Sequence, residues 1–163
     1  QVLLQNIVLK IIDIPDFGEI HIAHIVCDYN GTLAVDGELL PGVSRAINNL
    51  EEVQVHVITA DTFGVAKMQL QNTNCLVTIA PKDNQTQWKL DYINSLGAAS
   101  TATIGNGRND SLMLKKAVLG IALLQKEGAA VEAIMNADIV CSSILDALDY
   151  FSHPRRLIAT LRS

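Results

Sequence analysis

No apolar stretch in this 163-residue chain reaches the ~18 residues that a membrane-crossing helix needs, and no basic stripe runs through it. A membrane partner is therefore not expected, and the net charge of -5 disfavours nucleic acid. Only three cysteines occur, Cys27, Cys75 and Cys141, each inside an apolar run and none at metal-ligand spacing. Buried thiols in a reducing compartment are expected, with no zinc site and no disulfide framework. The first residues lack the charged, apolar, small-residue layout of a secretory signal, which points to a cytoplasmic location. Repeats, linkers and low-complexity segments are also missing. The simplest organisation is one domain over residues 1–163, long enough to bury roughly 70% of the surface of its unfolded form.

What is present is organised around Ile25 to Leu33, Ile-Val-Cys-Asp-Tyr-Asn-Gly-Thr-Leu. An apolar run that ends abruptly in Asp28 reads as a buried parallel strand that delivers a carboxylate to its C-terminal edge, where open α/β sheets bind ligands. Before it, Ile7 to Ile14 and Glu19 to His24 flank Pro15-Asp16-Phe17-Gly18 and predict an N-terminal hairpin over about residues 7–24. After it, Asp36-Gly37 predicts a second, tiny hairpin directly over Asp28. Pro41 opens a helix, Val53 to Thr59 is a strand alternating around His56, and Phe63 to Gln71 is a short helix. Leu76 to Ala80 is a strand. Asn84 to Leu96 is a helix with Trp88, Tyr92, Ile93 and Leu96 on one face, closed by Gly97. Strand and helix keep alternating from Thr101 to the last helical piece at Pro154 to Leu161. The expected class is α/β, a doubly wound parallel sheet with right-handed crossovers and a core over about residues 25–163.

Four of these element ends carry polar residues that an ordinary core would not choose. They are Asp28 with Asn30, Thr59 with Asp61, Lys89 (or Lys82) near a helix start, and Asn106 to Asp110. An unpaired buried carboxylate is costly, so Asp28 calls for a metal, a cation or a ring of backbone N–H groups. A lysine near a helix start gains nothing from the helix dipole and asks for an anion. Asn109 and Asp110 can also cap the helix that follows them. His21, His24 and His153 read as surface or interface residues, and His56 as a packed core residue.

This set of four motifs, in this order, resembles the haloacid dehalogenase (HAD) superfamily of phosphohydrolases. Within it, the chain is most similar to the phosphorylation domain of P-type ATPases in the stand-alone form called soluble P-type ATPase-like proteins. The similarity starts at about Ile12 and includes Gly105-Asn106-Gly107-Arg108-Asn109-Asp110, the following Leu-Lys-Lys-Ala-Val-Leu-Gly-Ile-Ala and the later Ala137-Asp138-Ile139-Val140. The resemblance implies a HAD-like Rossmannoid fold and Asp28 as the nucleophile that becomes an aspartyl phosphate. It further implies that Gly31, Thr59, the N–H of Ala60, Lys89 and Asn109 hold the phosphoryl group. Thr32 is a supporting hydroxyl, and Lys82 remains the competitor of Lys89. Magnesium is the implied cofactor, with Asp28, the carbonyl of Asn30, Asn106 and Asp110 (directly or through water) around it.

Three departures qualify the likeness. Ala60 stands where the P-type ATPase pattern Thr-Gly-Asp has Gly, and Asn106 stands where the family has a ligating Asp, which removes a charge. Asn30 stands where phosphatases of this family carry an acid-base Asp, and an amide exchanges no proton at neutral pH. Losing a positioned acid or base costs about 10²- to 10⁴-fold, so slow hydrolysis is expected. Only 26 residues separate Thr32 from Thr59 and 27 separate Asp61 from Lys89, so no cap domain fits. A capless site needs a large substrate or a neighbouring subunit to exclude water, and a homo-oligomer formed through the N-terminal hairpin is expected. The substrate is expected to be a phosphorylated small molecule, nucleotide or macromolecule. A receiver-like switch is disfavoured because the only Asp-rich edges are the first and fourth motifs. The reading from a different class is a catalytically impaired phosphate- or protein-binding module, motivated by Asn30 and Asn106.

Overall fold

The computed structural model describes residues 10–163. Strands β1 (Lys10–Ile14) and β2 (Gly18–Ile22) form the antiparallel hairpin, with Ile12, Ile14, Ile20 and Ile22 turned into the core. Residues 7–9 of the predicted hairpin lie outside the described residues. Strand β3 (His24–Asp28) follows, then the short pair β4 (Ala34–Val35) and β5 (Glu38–Leu39). Asp36 (φ 52°) and Gly37 (φ 84°) make its turn, both left-handed as a two-residue hairpin of the primed type requires. The chain continues through α1 (Val43–Asn48), β6 (Gln54–Thr59), α2 (Val65–Gln69), β7 (Leu76–Ile79), α3 (Gln85–Leu96) and β8 (Thr101–Gly105). It ends with α4 (Ser111–Lys116), β9 (Leu119–Leu123), α5 (Val131–Asn136), β10 (Ile139–Cys141), α6 (Ile144–Ser152) and α7 (Pro154–Leu161).

Among the described residues, six strands form one sheet in the order β10-β9-β8-β3-β6-β7, every neighbouring pair parallel. From β3 the chain builds outward to β6 and β7, then returns to lay β8 against the other side of β3. The switch point is therefore at β3, and the crevice beyond its carboxyl end is where such sheets bind ligands. Alternation along β3 sends Ile25 and Cys27 into the core shared with the hairpins, α1, α6 and α7, and Val26 into the core under α3 and α4. Hydrophobic material on both faces is what a parallel sheet requires.

One expectation needs correction. Strand β6 does not alternate: Val55, His56, Val57, Ile58 and Thr59 are all buried, because a central parallel strand is covered on both faces. His24, expected at the surface or an interface, is half-buried, with Nδ1 3.0 Å from His56 Nε2. The other nitrogen of His56 meets the Tyr92 hydroxyl at 2.8 Å, so this buried imidazole has partners on both sides. All three cysteines are free, and burial raises the pKa of each thiol.

Candidate active site

Asp28 ends β3 with its side chain 15% exposed. The cation it called for comes from α3. Lys89 is 2% exposed and its Nζ donates to Asp28 Oδ1 at 3.1 Å, to Asp110 Oδ1 at 2.7 Å and to Asn109 Oδ1 at 3.1 Å. Lys82, the other lysine singled out from the sequence, is exposed. Asp110 is fully buried, and its second oxygen accepts the N–H groups of Asn106 (3.1 Å) and Gly107 (2.9 Å). That carboxylate closes its own loop and does not cap α4. Gly105 makes room for it, since a Cβ there would stand 2.5 Å from Asp110 Oδ2. Removing one partner from such a buried ionic set costs roughly 3–5 kcal/mol, so the lysine and both carboxylates depend on one another.

Two carboxylates share one ammonium, and the charge balance shows it. Burial, then the neighbouring Asp110, push the Asp28 carboxyl up to about 7 against the opposing pull of Lys89 and the Tyr29 N–H. Burial disfavours the Lys89 charge, but Asp110 and Asp28 outweigh it and hold the ammonium above its ordinary range. The site carries more negative charge than its lysine offsets, and a divalent cation would relieve this.

The donors suit magnesium in kind. Asp28, the main-chain carbonyl of Asn30 and the amide oxygen of Asn106 would offer a magnesium ion hard oxygen donors. Asn106 Nδ2 donates to the Gly128 carbonyl (3.1 Å), and Thr32 Oγ1 of the first-motif loop meets the Asn106 amide oxygen at 3.4 Å. Gly31, at φ +75°, lets that loop approach so closely that a Cβ would run into the Asn106 amide. Asp110 has one oxygen on Lys89 and the other on two N–H groups, which leaves it water-mediated contact. Among the described residues no cluster of three or more Asp, Glu, His or Cys could hold a metal ion. The set fits a weakly held magnesium rather than a tight, all-protein cage.

Across the crevice, Thr59 ends β6 and its Oγ1 accepts the Asp61 N–H at 3.1 Å, keeping its own proton for another acceptor. Asp61 takes the N–H groups of Phe63 (2.8 Å) and Ala66 (3.1 Å), which close the turn into α2 and hold its carboxyl below the usual range. Among the described residues nothing accepts the Ala60 N–H. A cavity of about 580 Å³ opens here, lined in part by Tyr29, Asn30, Asp36, Glu38, Ala60 and Asp61. Asn30 is exposed and its amide makes no side-chain hydrogen bond among the described residues.

Three functional-site neighbours carried no signal in the sequence. The Tyr29 hydroxyl donates to the Gly37 carbonyl (2.9 Å) and ties the β4–β5 hairpin over the site. Gln125 Nε2 holds the carbonyls of Thr32 (2.9 Å) and Gly31 (3.3 Å), while its Oε1 accepts the Ile144 N–H (2.8 Å). Gln85 Oε1 accepts the Asn109 Nδ2 at 2.7 Å. Amides and a phenol at these positions fit a core or a helix face equally well, so only the tertiary structure reveals what they touch.

The fold is similar to that of solved structures of other proteins. The deoxy-D-mannose-octulosonate 8-phosphate phosphatase of Haemophilus influenzae, solved in a cobalt-bound form, superposes with a TM-score of 0.68 over 87% of this chain and 94% of its own, at 15% identity. The corresponding enzyme of Moraxella catarrhalis, solved with magnesium, phosphate and its sugar, gives a TM-score of 0.64 over 86% and 94% at 14% identity. The chain has the HAD hydrolase fold. A zinc-transporting PIB-type ATPase carries the same HAD architecture, with a TM-score of 0.56 over 74% of this chain and 20% of that one, at 20% identity. An uncharacterized protein of Methanocaldococcus jannaschii is 51% identical over 59 residues, which are 36% of this chain and 63% of that protein's length. No family model matches. No helix among the described residues is long and apolar enough to cross a membrane.

Proposed function

We propose that this HAD-fold chain is a magnesium-dependent phosphohydrolase or phosphotransferase that carries its phosphoryl group on Asp28. The observation that carries the reading is Asp28 itself, a carboxylate at the switch point of the sheet with the Lys89 ammonium 3.1 Å away. The oxygen of Asp28 not bound by Lys89 attacks phosphorus, and the ester oxygen leaves on the opposite side. Lys89 offsets the charge on nucleophile and phosphoryl oxygens together, while the Thr59 hydroxyl and the Ala60 N–H are donors for one phosphoryl oxygen. Magnesium, when held by Asp28, the Asn30 carbonyl and Asn106, supplies further charge neutralisation. Asn30 has no proton to give or take at neutral pH, so leaving-group protonation and water activation are weak and turnover is slow.

Substrates are phosphorylated compounds: a small molecule, a nucleotide or a macromolecule. Without a cap the crevice is open, and a second copy of the chain, meeting it through the N-terminal hairpin whose Ile11 is 58% exposed, is the proposed cover. The test is hydrolysis of p-nitrophenyl phosphate with and without magnesium, on the parent chain and on Asp28→Asn. Slow, magnesium-dependent turnover that Asp28→Asn abolishes is expected. Phosphate binding without any turnover would favour the impaired binding module, which the proton-inert Asn30 facing the cavity also supports.

A further inference from the structure

The cavity of about 580 Å³ beside Asp28 is lined by two unlike sets of groups. One set belongs to the phosphoryl site: Asn30, on the loop just past Asp28, and Ala60, whose N–H nothing accepts among the described residues. The other set is acidic. Asp36 and Glu38 reach the cavity from the β4–β5 hairpin, and Asp61 from the turn into α2. Among the described residues no lysine, arginine or histidine lines it. Val65 and Gln69 face it from α2, four residues apart on one side of the helix, which turns Lys67 between them away.

These carboxylates have no cation of their own. Among the described residues none of the three forms an ion pair. The Phe63 and Ala66 N–H groups keep Asp61 ionised and fixed in place, and Glu127 Oε2, which accepts the Asp36 N–H at 3.3 Å, brings a further carboxylate to the hairpin turn. The buried Tyr29 phenol feels the charge. Burial first, then Asp61 and Glu38, hold its pKa above the ordinary value. A phosphate ester whose alcohol part is also anionic would lay like charge against this wall with no protein cation to offset it, whereas an ammonium there meets its complement.

We propose that the site takes a phosphorylated amino alcohol, with its phosphoryl group at Asp28 and its ammonium among Asp36, Glu38 and Asp61. This rests on the phosphoryl site proposed above and names the alcohol part that accompanies it. The cavity has the size of a small-molecule pocket. Asp36, Glu38 and Asp61 set specificity, since they meet the part of the substrate that does not react.

The experiment is calorimetric binding to the whole chain, with magnesium, of inorganic phosphate, aminopropylphosphonate and butylphosphonate. The phosphonates are not hydrolysed, and an ammonium in one replaces a methyl of similar size in the other, so the ratio of their affinities isolates the charge. Exposed ion pairs are individually weak, and the three carboxylates together should favour the ammonium compound about three- to tenfold at low salt. Most of that preference should vanish in molar salt. Asp36→Asn, in which asparagine tolerates the left-handed backbone of this position, and Glu38→Gln should each lower the ratio, and the two together should bring it near parity. Glu51→Gln removes a charge at an exposed position before β6, at the opposite edge of the sheet, and should leave the ratio unchanged. Equal affinity for the two phosphonates, with inorganic phosphate bound, would overturn the amino-alcohol assignment and leave the phosphoryl site standing. So would a preference that survives Asp36→Asn with Glu38→Gln, or one that falls equally in Glu51→Gln. A parent chain that binds neither inorganic phosphate nor either phosphonate overturns the assignment and the phosphoryl site together.

Discussion

The Nδ1 of His24 lies 3.0 Å from the Nε2 of His56, joining β3 to β6 beneath the α3 side of the sheet. Burial, then the neighbouring His24, push the His56 imidazole down to about 4 from its ordinary 6.5, and burial also lowers His24. Tyr92 and Thr78 face the pair from α3 and β7. The unfolded chain protonates His56 at higher pH than the folded chain does. Its contribution to stability is therefore fully present above about pH 6.5 and is lost as pH falls toward 4. With solvent screening allowed for, a loss on the order of 1–3 kcal/mol over that window is expected. Urea midpoints at pH 7.5 and 4.5 check this: His56→Gln should lower stability at pH 7.5 yet flatten the difference between the two. An undiminished difference would remove His56 from the account.

The magnesium affinity should respond to Asn106. An amide oxygen ligates without charge, whereas Asn106→Asp adds a carboxylate beside the first-motif loop and offsets more of the ion's dehydration. Calorimetry should show tighter magnesium binding by tenfold or more, about 1.4 kcal/mol. Unchanged affinity would mean that Asn106 is not a ligand.

Asn30→Asp should speed breakdown of the phosphorylated state. The substitution gives the exposed Asn30 position a group that can protonate the leaving oxygen and activate water, and leaves the main-chain carbonyl in place. Attack on the intermediate needs a base, while a nitrophenolate leaving group needs little help, so the gain falls on the second step. Rapid-quench measurement should find the phosphorylated lifetime shortened at least tenfold, about 1.4 kcal/mol. A lifetime that does not change would leave Asn30 without the acid-base position.

The sequence carried the sheet and the charged centre because both leave local marks. An apolar run cut off by Asp28 marks a strand and its edge, and Lys89 stands one turn before the buried Ile93 on a periodic helix. Even the small hairpin was legible, since Asp36-Gly37 names its own turn. The side-chain links between distant elements left no such marks. Gln85 with Asn109, Gln125 with the Gly31-Thr32 carbonyls, and His24 with His56 are pairs separated by 24 or more residues. Periodicity tells which face a residue occupies, but not which residue meets it there. The same limit explains β6, whose alternation around His56 in sequence could not disclose that both faces of the strand are covered.

The most direct test of the central claim is the structure of the chain with magnesium and beryllium fluoride, a mimic of a phosphoryl group on a carboxylate. A tetrahedral adduct is predicted on the Asp28 carboxylate, with Lys89 and the Thr59 hydroxyl as donors to its fluorides. An adduct on any other residue, or full occupancy of the ion with Asp28 left unmodified, would contradict it.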